Sequence, residues 1–297
     1  MPCGDKVLER INRLHKELTN LGKLPTRAQL EQYYGTFRDR FGPQRLASLN
    51  GEALLQTMHE HGNRDSLVYW LEFKNDEEFP GLFGSIAGGS ALKFGIYRRG
   101  ETGMWMTGSP QQQQELSIQE AIQIARKHRD QLIEGVRLLE DLPVNATDEE
   151  YAALQRAMDS VAPDVGDSAW GHKYFSLLYP DKLDDYHVSH YQRFHLITLL
   201  QEPPPGDGRY LVAGRYIALA HLLDMPLNHL TSILNHIHGR PHRYWRVGTK
   251  LGDVDSRWDV MRNSDCVAVG WAKLGDLSDI KYDRESKEKI RTLIQTY

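Results

Sequence analysis

Apolar residues recur every three or four positions along most of this chain, and in two windows they stop doing so. Val7, Leu8, Ile11, Leu14, Leu18 and Leu21 make one stripe, and Leu30, Tyr33, Tyr34, Phe37 and Phe41 make another. That spacing puts each set on one face of a helix, with Gly22 and Pro25 marking the break between them. From 67 to 108 the pattern changes, and LVYWLEF, LKFGIYRR and MWMTG read as strands, with GETG (100–103) as a hairpin turn. Ser117 and Glu120 form a capping box that opens an amphipathic helix running to about Leu142. The polar run from Gln111 to Gln114 reads as a loop.

Past Pro143 the helical period returns. Asp148 is the predicted N-cap of the first helix, and KYFSLLYP and YHVSHYQRFHLITLLQ follow. PPPGDG (203–208) breaks the pattern. Two further helices lie in GRYLVAGRYIALAHLLDM and PLNHLTSILNHIHG, the second bracketed by Pro226 and Gly239. The second change comes after 243, where YWRVG (244–248) and CVAVGW (266–271) read as strands around a short helix in DSRWDVMR. The expected fold is therefore α+β and mostly helical. It comprises N-terminal helices (1–60), a small α+β unit with a β-hairpin (61–145), a helical domain (146–240) and a final unit (243–297). Two strands cannot make a stable sheet alone, so the final unit reads as incomplete.

Composition removes several classes. A chain of 297 residues with 40% hydrophobic and 26% charged residues has the profile of a globular protein. It has no apolar run near membrane-spanning length, and its first residues carry no apolar signal core. The expectation is a cytoplasmic protein. Cys3 and Cys266 are the only cysteines, too few for a disulfide scaffold, a cysteine-rich zinc module or an iron–sulfur cluster. The net charge of −4 is unevenly spread, since residues 243–297 carry 11 Lys and Arg against 9 Asp and Glu. Nucleic-acid contact, if made, must come from a local patch and shaped pockets rather than from bulk charge.

Catalytic motifs are not legible. FGSIAGGSALKFG (83–95) places Gly84 and Gly89 at the spacing of a phosphate loop, yet Ser90-Ala91 stands where Lys-Ser/Thr is needed, so the glycines read as turn formers. Eight of the 13 histidines fall between His187 and His242. His187 and His190 are one helical turn apart and His236 and His238 two residues apart, but neither pair has an evident third ligand, so hydrogen-bonded histidines are expected rather than a metal site. No nucleophile elbow, zinc-protease or calcium-loop motif appears. The chain is expected to be non-catalytic and to hold no cofactor.

Tryptophan placement carries more. Trp245, Trp258 and Trp271 put three of the six tryptophans into one short stretch. They either pack a small core or line a cage for a flat ligand, because stacking an extruded base on an aromatic face stabilises by about 1–3 kcal/mol. Arg243, Arg246, Arg257 and Arg262 lie close by in sequence and could hold phosphates.

The stretch YWRVGTKLGDVDSRWDVMRNSDCVAVGWAKLGDLSD (244–279) resembles the opening of the EVE-like, PUA-related domains of McrB-like modification-dependent restriction proteins. The matching features are Tyr244-Trp245-Arg246, Trp258 in the following helix, and Val267 to Trp271 followed by Leu274 to Ser278. AWGHKYFSLLYPDKLDDYH (169–187) resembles the Trp-x-x-Lys-Tyr and Tyr-Pro-Asp-Lys segment that precedes this domain in those proteins. Residues 1–145 carry only a general similarity.

The resemblance implies that the final unit is the start of a small PUA-like β-barrel that takes a flipped, modified base into an aromatic cage. It also implies an AAA+ GTPase domain and a partner nuclease; no such motor motif occurs here, so the chain is expected to be a fragment of a longer protein. The leading expectation is DNA recognition, with modified cytosine as the base read, in a restriction or antiviral defence system. An RNA-binding PUA-class module and a protein-interaction scaffold for the nuclease remain open, and oligomerisation would come through the motor domain.

Overall fold

The computed structural model describes residues 4–74, 77, 83–88, 90–109, 111–241, 250–251, 255–256, 258–264 and 292. The chain is mostly helical, with a small three-stranded antiparallel sheet. Residues 1–241 form one compact unit and residues 242–297 a second.

The first unit opens with α1 (Asp5–Asn20), α2 (Arg27–Phe41), α3 (Pro43–Ala47) and α4 (Gly51–Met58). Thr26 starts α2 with a capping box, its hydroxyl accepting from the Gln29 amide while the Gln29 side chain accepts from the Thr26 amide. The run LVYWLEF is not a strand. It forms a helical turn, α5 (Leu67–Tyr69), that continues as a π-helix through Trp70–Lys74. The reason is burial on every side: Leu67, Val68, Tyr69, Trp70 and Leu71 are all in the core, and a short continuous apolar run does not distinguish a buried helix from a buried strand. Ser66 decides it locally, its hydroxyl accepting from the Tyr69 amide.

The hairpin is present as β1 (Ile96–Arg98) and β2 (Trp105–Ser109), paired with Ile96 opposite Thr107 and Arg98 opposite Trp105. Only the second half of LKFGIYRR is strand, because Ala91–Phe94 make a 3₁₀ turn capped by Ser90. The glutamine run is not a loop. Gln112–Leu116 form β3, in register with β2 from Trp105–Leu116 to Ser109–Gln112. Composition misled here because an exposed edge strand needs only its backbone ladder, which glutamines supply as well as any residue.

Next comes α6 (Ile118–Asp141), the longest helix described, started by the Ser117–Glu120 capping box and burying Ala121, Ala125, Leu132, Val136 and Leu139 along one stripe. Thr147, not Asp148, caps α7 (Asp148–Val161), its hydroxyl accepting from the Glu150 amide. Asp148 instead accepts from Arg215 Nε at 2.9 Å. Then α8 (Ala169–Leu178) is buried all round, the pattern of a central helix. After it come α9 (Ser189–Thr198), α10 (Ala213–Leu222) and α11 (Leu227–His238), with PPPGDG lying between α9 and α10.

Apolar side chains gather into two cores. One joins α2 to α8 and the sheet around Phe37, Phe41, Trp70 and Trp170; the other joins α1 to α9, α10 and α11 around Ile11, Leu196, Tyr216 and Leu230. The stretches 1–60, 61–145 and 146–240 all contribute to these cores, α1 packing on α11 and α2 on α8. No described helix is long and apolar enough to cross a membrane.

In the second unit the described elements are β4 (Lys250–Leu251) paired antiparallel with β5 (Asp255–Ser256), and α12 (Trp258–Asn263). The short helix of DSRWDVMR is thus present from Trp258 onward. The expected strands YWRVG and CVAVGW lie outside the described residues.

Candidate functional site

The most unusual chemistry in the described part of the chain sits between α8 and α9, in the segment Tyr179 to His187. Apolar packing fixes the segment first. Leu183 and Tyr186 are buried in the two cores, and the Lys182 ammonium donates to the carbonyls of Leu139 at 2.6 Å and Leu142 at 2.9 Å. A cation there satisfies the open carbonyls at the end of α6. Asp184 and Asp185 are carried inward between these anchors.

Asp184 is wholly buried. Its carboxylate accepts from the Tyr186 amide at 3.0 Å and from Gln192 Nε2 at 3.1 and 2.9 Å. Burial, with the adjacent Asp185 charge second, pushes its pKa up to about 8 despite these donors. Asp185 accepts from Asn228 Nδ2 at 2.9 Å. Burial raises it to about 6, against the opposing effects of Thr231, Asn228 and the Lys173 ammonium. Two coupled carboxyls in one core are a recognised mark of functional sites as well as of structural networks.

Around them the polar groups are held in order. The Tyr186 hydroxyl donates to the Thr231 carbonyl at 3.0 Å, and its ring stacks on His195 with centroids 4.7 Å apart and planes at 11°. His187 binds the Phe83 carbonyl through Nε2 at 2.8 Å and meets His172 Nδ1 with its own Nδ1 at 3.1 Å. Facing nitrogens at that distance require one of them to be bare, and burial lowers both imidazoles, His172 to about 3. Both nitrogens of His187 are therefore engaged within the protein. His190 sits on α9 against Tyr191 instead of sharing a ligand with His187. Among the described residues no three histidines, cysteines or carboxylates converge to hold a metal ion.

Two cavities lie beside this cluster. A chamber of about 10 Å³, room for one water-sized group, is walled by Asp185, Tyr34, Ser176 and Asn228. Tyr34, Pro180, Leu227 and Asn228 also wall a larger cavity of about 280 Å³ between α2 and the α10–α11 junction. Asp185 keeps part of its surface for that reason, whereas Asp184 does not.

Of the residues expected to bind nucleic acid, Trp258 and Arg262 are described. They stand four positions apart on α12, Trp258 with 53% of its surface exposed and Arg262 exposed, while Met261 is buried. Trp245, Trp271, Arg243, Arg246 and Arg257 lie outside the described residues. Sequence reasoning did not single out Asp184, Asp185, Lys173 or Tyr34. The available signal was the acidic pair interrupting an apolar run in LDDYHV (183–188). No family model, no curated protein and no solved structure matches this chain.

Proposed function

We propose that this chain is a nucleic-acid-recognition component of a modification-dependent restriction or defence system, acting in the cytoplasm on DNA that carries modified cytosine. The observation that carries this reading is α12. A short helix exposes half of a tryptophan one turn from an exposed arginine while Met261 of the same helix is buried, inside the 244–279 stretch that resembles EVE-like domains. Keeping half of a large aromatic at the surface forgoes part of a burial that is worth about 1.5–3 kcal/mol when complete. A stacking surface with a phosphate-binding cation beside it gives that arrangement a use.

In this reading residues 243–297 begin a PUA-like β-barrel, and Trp245, Trp258 and Trp271 form the cage that accepts the extruded base. Arg243, Arg246, Arg257 and Arg262 hold the flanking phosphates, and the helical unit presents this reader to an AAA+ motor and a partner nuclease. The chain itself performs no bond-making step. Extrusion costs a few kcal/mol, which stacking and phosphate contacts must exceed.

Fluorescence anisotropy of the full chain with duplexes that differ only in cytosine modification tests this. Tighter binding to the modified duplex, with that preference lost in Trp258→Ala, is the expected result. Equal affinity of the unaltered protein for both duplexes overturns it. Stronger binding to a single-stranded or structured RNA competitor would replace it with an RNA-binding PUA-class reading.

A further inference from the structure

We propose that the cavity between α2 and the α10–α11 junction is a binding site for a primary alkylammonium ion, its ammonium in the inner chamber beside Asp185, Tyr34 and Asn228 and its chain on Leu30, Ile217 and Met225. Shape, charge and hydrogen-bonding capacity point to that ligand independently.

The two chambers adjoin at their shared lining residues Tyr34, Pro180, Leu227 and Asn228, and taken together they suit a slender ligand with a small polar head. The inner one, of about 10 Å³, admits a group no larger than water, which suits –NH₃⁺ and excludes a trimethylated head. The outer one, of about 280 Å³, has an apolar floor in Leu30, Ile217, Ala220 and Met225, which suits a short alkyl chain.

Charge selects the head. Glu31 and Asp181 stand at the wall of the outer cavity, and neither has an ion-pair or hydrogen-bond partner among the described residues. The wall's arginine, Arg27, is already engaged by Asp224, donating to its carboxylate at 3.2 Å and its carbonyl at 2.8 Å. Asp185 lies at the inner end, where burial raises it to about 6 while Asn228 and Thr231 of α11 act in the opposite direction and favour its ionised form. Lys173 offsets part of this charge from within the core, and the groups facing the cavity remain net negative.

Hydrogen bonding agrees with charge. An ammonium brings three donors and no acceptor. Tyr34 walls both chambers, and its hydroxyl has no hydrogen-bond partner among the described residues. With the Asp185 carboxylate it supplies acceptors at the place where the head would sit. Short-chain primary amines of this kind occur free and as lysine side chains, and both offer the same chemistry.

Isothermal titration calorimetry of the whole chain with n-pentylamine, n-pentanol and pentyltrimethylammonium tests the site. The amine should bind with a Kd on the order of 1 mM, and the alcohol and the trimethylated cation at least about tenfold more weakly. Asp185→Asn should weaken the amine about tenfold or more. Because that change touches the core, Glu31→Gln and Asp181→Asn serve as surface variants that keep the fold by circular dichroism and should each weaken the amine about two- to threefold, the scale of an exposed charge contact. Nα-acetyl-lysine methylamide binding more tightly than pentylamine assigns a peptide lysine as the source, and weaker binding assigns a free amine. The proposal fails if the alcohol or the trimethylated cation binds as well as the amine, or if the surface variants leave the amine's affinity unchanged. The nucleic-acid reading shares no residue with this site and stands or falls separately.

Discussion

Gln192 Nε2, on α9, donates to both carboxylate oxygens of Asp184, at 3.1 and 2.9 Å, and also to the Arg209 carbonyl at 2.8 Å. One amide thus ties the acidic segment to the end of the α9–α10 connection, inside a core that contains no water-exposed surface of Asp184. A carboxyl so placed makes stability depend on pH in a direction opposite to the usual surface aspartate.

Stability is expected to peak at about pH 6.5 to 7. With Asp184 raised to about 8, the folded chain keeps a proton that the unfolded chain has lost from pH ~4 upward, so stability falls as pH rises toward 8, by up to about 1.4 kcal/mol per pH unit. The buried imidazoles work the other way. His59, His128, His172 and His187 are all lowered by burial, His128 to about 4 and His172 to about 3. Below about 6.5 the unfolded chain takes up protons that the folded chain refuses, and these four outweigh Asp184 and Asp185. Urea midpoints measured from about pH 5 to pH 9 should show both limbs, and Asp184→Asn should flatten the alkaline one. An unchanged alkaline limb in that variant would assign the effect elsewhere.

Gly135 is a packing requirement. On α6 a Cβ at this position would stand 2.4 Å from Phe175 Cζ and 3.2 Å from Met158 Sδ. Alanine gains up to about 1 kcal/mol in helix propensity, yet the aromatic ring is itself wholly buried and has nowhere to go. Gly135→Ala is expected to destabilise by a net ~1–3 kcal/mol in denaturant unfolding, and a stabilised variant would contradict the contact.

The start of α7 separates two neighbours that sequence alone confuses. Thr147→Ala removes the cap and should cost about 1 kcal/mol at any ionic strength. Asp148→Ala removes the ion pair with Arg215, which is one-third exposed, and should cost no more than about 1 kcal/mol, shrinking as salt is added. Unfolding midpoints of both variants at low and high salt would reverse this assignment if the salt-sensitive one were Thr147→Ala.

On the proposed reading of α12, Arg262→Ala should weaken modified and unmodified duplexes alike and lower the salt dependence of binding by about 0.9 in log–log slope, one phosphate contact. Trp258→Ala should change the preference between duplexes and leave that slope in place. Titrations at several salt concentrations compare the two, and a selective effect of Arg262→Ala would move it from phosphate to base.

Local patterns fixed what depends on neighbours in sequence. The stripes of α1, α2 and α6, the Ser117–Glu120 box, the GETG hairpin and the helix from Pro226 to Gly239 all rest on interactions within a few residues, so they are legible in the sequence. Where burial is complete or absent, the pattern loses its information. Leu67–Leu71 are covered on every side and became helical, and Gln112–Gln114 are exposed and became strand. The acidic pair shows the deeper limit. Asp184 and Asp185 are ordinary in sequence, and it is α8, α9 and α11, with Tyr34 from far earlier in the chain, that bury one carboxyl and leave the other at the end of a cavity. A residue's charge and its access to solvent depend on atoms brought together from distant segments, which only the tertiary structure specifies.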